Sequence, residues 1–198
     1  EINQYLSKMR PMLIKAVGPE VRLRYELSDK PLAFEVELTG LDNALLNMAV
    51  NAKHAMHGKG SLTIATLLCS GSELPAELQG SSERYVCLSL TDSGQGMTDE
   101  VKQRLFEPFF TTKGDNGTGL GLAQTFGLVK RCQGAIEVIS EPGCGSSFKL
   151  FFPQIHAETA HDDKSLNQPA QALLQEKILS SSRSVITSET ESEQNRTI

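Results

Sequence analysis

Apolar residues at Ile2, Tyr5, Leu6, Met9, Leu13 and Val17 recur at three- and four-residue spacing, which predicts an amphipathic helix over residues 2–17. The period drops to two at Val21, Leu23, Tyr25 and Leu27, which alternate with Arg22, Arg24 and Glu26 and predict a half-buried strand. Leu41, Leu45, Met48, Ala52 and Ala55 form a second helical stripe over residues 41–56. Strands read at 61–68 and 84–92, and a third helix at 120–132. Residues 135–140 and 146–152 close a hairpin around the turn 141–145. The interval from Gly94 to Gly117 is punctuated by glycine and too irregular for a regular element, so it predicts loop. The pattern implies one mixed sheet with helices on one face, a two-layer α/β sandwich. A long irregular interval inside a compact domain is ordinarily a functional loop.

Composition divides the chain near Pro153. Every aromatic residue and all sixteen glycines precede that point, while residues 154–198 carry seven serines and seven acidic residues against four basic ones. Such a segment buries too little apolar surface to offset its ordering entropy. The expected organisation is a domain at 1–153 followed by a polar, disordered linker at 154–198. Leu173, Leu174 and Ile178 share a helical stripe, leaving a short docking helix at 169–178 as an open alternative. The formal charge of −5 argues against nucleic acid or an anionic membrane as the main partner. No apolar run approaches the ~18–20 residues that cross a bilayer. Cys69, Cys87, Cys132 and Cys144 are widely spaced, which disfavours a zinc site or disulfide framework and fits the cytoplasm. A start at Glu1 in place of Met predicts a fragment of a longer protein.

Four separated signals converge on one ligand. Asn47 and Asn51 lie one helical turn apart, suited either to solvated positions or to amides aimed into a cleft. There a carboxamide oxygen is a suitable Mg²⁺ ligand. Asp92 ends an apolar strand and opens Asp-Ser-Gly-Gln-Gly, where a carboxylate can accept from an exocyclic amine such as adenine's. Gly94 and Gly96 would let the backbone approach a flat ring, although the same pattern also makes an ordinary turn. In Phe106-Glu107-Pro108-Phe109-Phe110-Thr111-Thr112-Lys113, the three phenylalanines read as anchors of a mobile loop. Thr112 and Lys113 are then left to reach phosphates or solvent. Gly117-Thr118-Gly119-Leu120-Gly121-Leu122 runs into the third helix, where backbone N–H groups and the helix dipole favour an anion. It is neither a Walker loop, since no Gly-Lys-Ser/Thr follows, nor a Rossmann fingerprint, since no βαβ unit surrounds it.

In this order and spacing the four signals resemble the N, G1, F and G2 boxes of the histidine-kinase catalytic domain. That domain belongs to the superfamily shared with gyrase, the ninety-kilodalton heat-shock chaperone and mismatch-repair ATPases. LDNALLNMAVNAKHAM resembles the N box, DSGQGM the G1 box, FEPFFTTK the F box and GTGLGLA the G2 box. ISEPGCGSSFKLFFP resembles the closing hairpin, so the likeness covers about residues 1–153. It implies a Bergerat-type α+β sandwich: a mixed, mostly antiparallel sheet, about three helices on one face, and a flexible ATP lid. It also implies ATP and Mg²⁺ as cofactors. Asn51 would ligate the metal, with Asn47 supporting the phosphates or the metal shell. Asp92 would bind the adenine amine, while Gly94, Gly96 and Met97 shape the base pocket. The lid would run over 97–116, with Phe110, Thr112 and Lys113 toward the ligand and Lys113 near the phosphates. Gly117, Gly119 and Gly121 would let it hinge and present N–H groups at the third helix, with Thr118 among the binding residues. Leu120 and Leu122 would line the pocket or pack the helix beneath it. Relatives often carry an acid at the place of His54, so a contact to a phosphate or a metal-bound water and plain solvation both stay open for that residue.

Hydrolysing relatives place a glutamate one turn before the metal asparagine, and Asn47 stands there instead. An amide is too weak a base to activate water, so the resemblance implies phosphoryl transfer to a protein nucleophile. The histidines are His54, His57, His156 and His161, and none precedes residue 54. The acceptor histidine is therefore expected on dimerisation helices outside this chain. The polar tail resembles a linker toward a receiver domain, as in hybrid sensor kinases of two-component phosphorelays. Alternatives are a gyrase-type ATP-hydrolysing clamp and a non-enzymatic docking module.

Overall fold

A computed structural model describes residues 1–79, 83–112 and 117–155. Helix α1 (Ile2–Val17) starts at Glu1, whose carboxylate accepts from the N–H groups of Asn3 and Gln4 at 3.1 and 2.7 Å. Its stripe Ile2, Leu6, Met9, Leu13 and Val17 is buried as the spacing predicts. Strand β1 (Val21–Glu26) leads to α2 (Leu38–Ala55), capped by Glu37, which accepts from Gly40 N–H at 2.8 Å. That start precedes the expected one by a turn, because Leu38, Thr39 and Gly40 add nothing to the apolar stripe.

Strand β2 (Gly60–Cys69) continues through two short 3₁₀ turns to β3 (Tyr85–Asp92). Helix α3 (Asp99–Arg104) lies inside the interval expected to be wholly irregular. Thr98 caps it, acids occupy its first turn and Lys102 and Arg104 its last, in the sense the helix dipole favours. Six residues are too few to declare a period. Helix α4 (Gly121–Arg131) and strands β4 (Ala135–Ser140) and β5 (Ser146–Pro153) complete the described domain.

The sheet order is β1-β2-β3-β5-β4, with β1 parallel to β2 and every other pair antiparallel. This is the mixed, mostly antiparallel sheet that the sequence implied. Alternate residues Leu62 and Ile64, Val86, Leu88 and Leu90, and Leu150 and Phe152 join one core with Leu6, Leu13, Leu45, Met48 and Val129. Burying each such side chain contributes roughly 1.5–3 kcal/mol. Helices α1, α2 and α4 thus form the helical layer, with α2 between the other two. The expected linker character of 154–198 and the helix at 169–178 fall almost wholly outside the described residues.

Candidate functional site

The layer geometry leaves a cavity of about 630 Å³ between α2, the C-terminal end of β3, the 96–112 segment and the start of α4. From α2, Asn47, Asn51 and His54 face it together, as one-turn spacing requires, beside Val50, Ala52 and Ala55. Its floor carries Asp92, only 6% exposed, whose Oδ1 accepts from Gly94 N–H at 2.8 Å. Burial pushes the Asp92 carboxyl above the usual range, while the N–H groups of Gly94 and Ser146 pull it down. Among the described lining residues Asp92 is the one carboxylate.

After β3 the chain lies across the end of α2, with Gln95 N–H donating to Ala55 O at 2.9 Å. The β4–β5 turn packs from the other side, and Gly143 N–H donates to Gln95 O at 2.7 Å. Gly96 has φ +68°, and a Cβ there would sit 1.9 Å from Glu141 O. A glycine is thus required for both conformation and proximity. Lys102 ties α3 to the same hairpin, reaching Ser140 O at 3.1 Å while pairing with Asp99 at 2.8 Å.

The phenylalanine segment departs from expectation. Leu105 is its buried anchor, Phe106 packs on Phe126 with centroids 5.0 Å apart, and Phe110 lines the cavity beneath the Arg104 guanidinium at 4.4 Å. Phe109 is no anchor: it is 74% exposed, with φ +68° turning its side chain away from the core. Its backbone N–H donates to Gly119 O at 3.0 Å, and a Cβ on Gly119, itself at φ +67°, would meet the Phe109 carbonyl carbon at 2.3 Å. The F segment and the glycine run are therefore joined backbone to backbone. No described side chain caps α4, so its first turn presents N–H groups beside the cavity.

Of the residues expected at the site, the cavity brings together Asn47, Asn51, His54, Asp92, Gly96, Met97, Phe110, Thr112, Gly117, Thr118, Gly119, Gly121 and Leu122. Gly94 and Leu120 do not line it: Gly94 lies against the end of α2, and Leu120 occupies the N-cap position of α4, its own N–H donating to Thr118 Oγ1 at 3.4 Å. Lys113 lies outside the described residues. Within the expected lid, sequence reasoning did not single out Thr98, Val101, Leu105 and Thr111, and it missed Gln95 before it and Pro142, Ser146 and Phe148 from the hairpin. The pairing of Ser146 with Asp92 across β3 and β5 brings the hairpin group in.

The family model for histidine kinase-, DNA gyrase B- and HSP90-like ATPases matches residues 36–156, and the chain belongs to that family. It is 32% identical over 167 residues to the sensor kinase CckA of Brucella abortus, covering 82% of this chain and 18% of that protein. The sensor histidine kinase ZraS of Salmonella typhi is 33% identical over 140 residues, covering 71% of this chain and 27% of that one. The chain therefore spans between a sixth and a third of these relatives' length. The solved mycobacterial sensor histidine kinase MprB shares the fold at TM-score 0.63 and 19% identity, over 77% of this chain and 95% of that one. Full-length ShkA, solved with AMPPNP, aligns at TM-score 0.59 and 25% identity, over 78% of this chain and 29% of that one.

Proposed function

We propose that this chain binds Mg-ATP in the cavity and donates its γ-phosphoryl group to a histidine on separate dimerisation helices of a sensor kinase. The carrying observation is the convergence of the Asn47–Asn51 face, buried Asp92 and the N-terminus of α4 on one cavity of nucleotide size. Asp92 accepts from the adenine amine, and Gly96 and Met97 shape the base pocket around it. Gly117, Gly119 and Gly121 and the first turn of α4 serve the phosphates. Thr112 and Lys113 approach from the lid, and His54 meets a phosphate or a metal-bound water.

Among the described residues no three His, Cys, Asp or Glu side chains cluster to hold a metal. The donor set instead fits Mg²⁺ with a hard amide oxygen from Asn51, its other ligands being phosphate oxygens and water. The ion would supply charge neutralisation at the phosphates.

Transfer is favoured over hydrolysis because acids near the asparagines are committed elsewhere. Glu37 caps α2 and the Asp42 carboxylate accepts from Tyr5 OH, leaving Asp92 at the base end of the cavity. No described lining carboxylate stands ready to activate water near Asn51. Composition supports residues 1–153 as the module and 154–198 as a polar linker. A cytoplasmic setting fits, and no described helix is long and apolar enough to cross a membrane.

With γ-labelled ATP the chain alone is expected to show no acid-labile label, and a dimerisation domain from a related kinase to become labelled when it is added. Rapid acid-labile labelling of this chain alone, or phosphate release without transfer, would overturn the reading.

A further inference from the structure

Ser140 closes β4, Ser146 opens β5, and the two are register partners. Both are buried. Ser140 Oγ stands 2.9 Å from Gly145 O and 3.0 Å from Ser146 Oγ. A carbonyl oxygen only accepts, and the two contacts are satisfied together only when the single Ser140 hydroxyl proton goes to Gly145. Between the two hydroxyls Ser146 must then donate, and its proton points toward Ser140. Ser146 also lines the cavity next to Asp92, its partner on β3. Only its lone pairs remain for a ligand.

We propose that Ser140 is a positioning residue that locks the Ser146 hydroxyl as an acceptor, so that the cavity floor selects a purine bearing an exocyclic amine over one bearing an oxo group. The inference rests on the ATP reading of the site. Asp92 and Ser146 together then offer acceptors alone. Adenine presents two amine hydrogens at C6. Hypoxanthine, altered only at that edge, presents a carbonyl oxygen and an N1–H. Its N1–H finds an acceptor, but its oxo oxygen faces another lone pair with no donor to satisfy it, the arrangement that discriminates strongly in a buried site. A freely rotating hydroxyl would accept from the amine of one base and donate to the oxo oxygen of the other; the bond to Ser140 removes that freedom.

Calorimetric titration of the whole chain with Mg-ATP and Mg-ITP tests this. The unmutated chain is expected to prefer ATP. Ser140→Ala frees the Ser146 hydroxyl and is expected to narrow the ATP-over-ITP ratio about tenfold, the worth of one hydrogen bond. Ser140→Thr keeps the hydroxyl that accepts from Ser146 and is expected to hold the ratio within about twofold of the unmutated value. A merely structural Ser140 would weaken both nucleotides equally. ATP binding with an unchanged ratio in Ser140→Ala overturns this inference alone. If that variant does not fold, Ser146→Ala decides: removing the oxygen from the cavity narrows the ratio, and an unchanged ratio overturns the lock. An unmutated chain that binds neither nucleotide overturns the ATP reading, and the lock falls with it.

Discussion

Asp92 carries the sharpest conflict between stability and function in the molecule. Its carboxyl is buried at the end of an apolar strand, and burial outweighs the N–H groups of Gly94 and Ser146 that favour the charged form. The raised folded pKa gives the sign of the linkage. Ionised Asp92 destabilises the fold, and that cost appears as pH rises through the ordinary carboxylate value of about 3.9 and is complete above the raised one. Asp92→Asn is therefore expected to melt roughly 2–5 °C higher than the unmutated chain at pH 7, with the gain vanishing as pH falls below about 4. The same variant is expected to bind Mg-ATP at least about tenfold more weakly, because a charge-assisted acceptor is lost. Thermal melts across pH measure the first effect, and a variant melting lower at pH 7 would contradict the account of this residue.

At the scale of elements, the lid meets the helical layer through backbone at Phe109 and Gly119 as well as through Phe106 packed on Phe126. Phe109 N–H bonds Gly119 O, and Gly119 has φ +67° with no room for a Cβ against the Phe109 backbone. Gly119→Ala combines backbone strain of about 1–3 kcal/mol with a clash, so the two segments must part. Mg-ATP affinity is expected to fall about tenfold, while the melting temperature moves only a few degrees because the main core contains neither residue. An affinity equal to that of the unmutated chain would show that this junction does not shape the site. The elements themselves were legible where a period ran long, as in the stripe from Ile2 to Val17. Helix α3 was not, since Asp-Glu-Val-Lys-Gln-Arg holds one apolar residue and its boundaries rest on the Thr98 cap. Nor was Phe109, whose exposure follows from a positive φ that an aromatic residue does not announce.

Across the whole molecule, topology decides what linear motifs cannot. Asn47, Asn51, Asp92 and the glycine run were readable because each sits in a local pattern with its own chemistry. Ser146 and Phe148 reach the cavity only because β5 inserts between β3 and β4, a pairing that sequence order does not display. The same insertion seats the 141–145 turn against Gly96, while the β4–β5 hairpin itself pairs Ser140 with Ser146. The direct test of the whole construction is a calorimetric titration of the chain with Mg-ATP, repeated for Asn51→Ala and Asp92→Ala. One-site binding is expected, with Asn51→Ala losing its magnesium dependence and Asp92→Ala losing measurable affinity. No binding by the unmutated chain, or equal binding by all three, would contradict it.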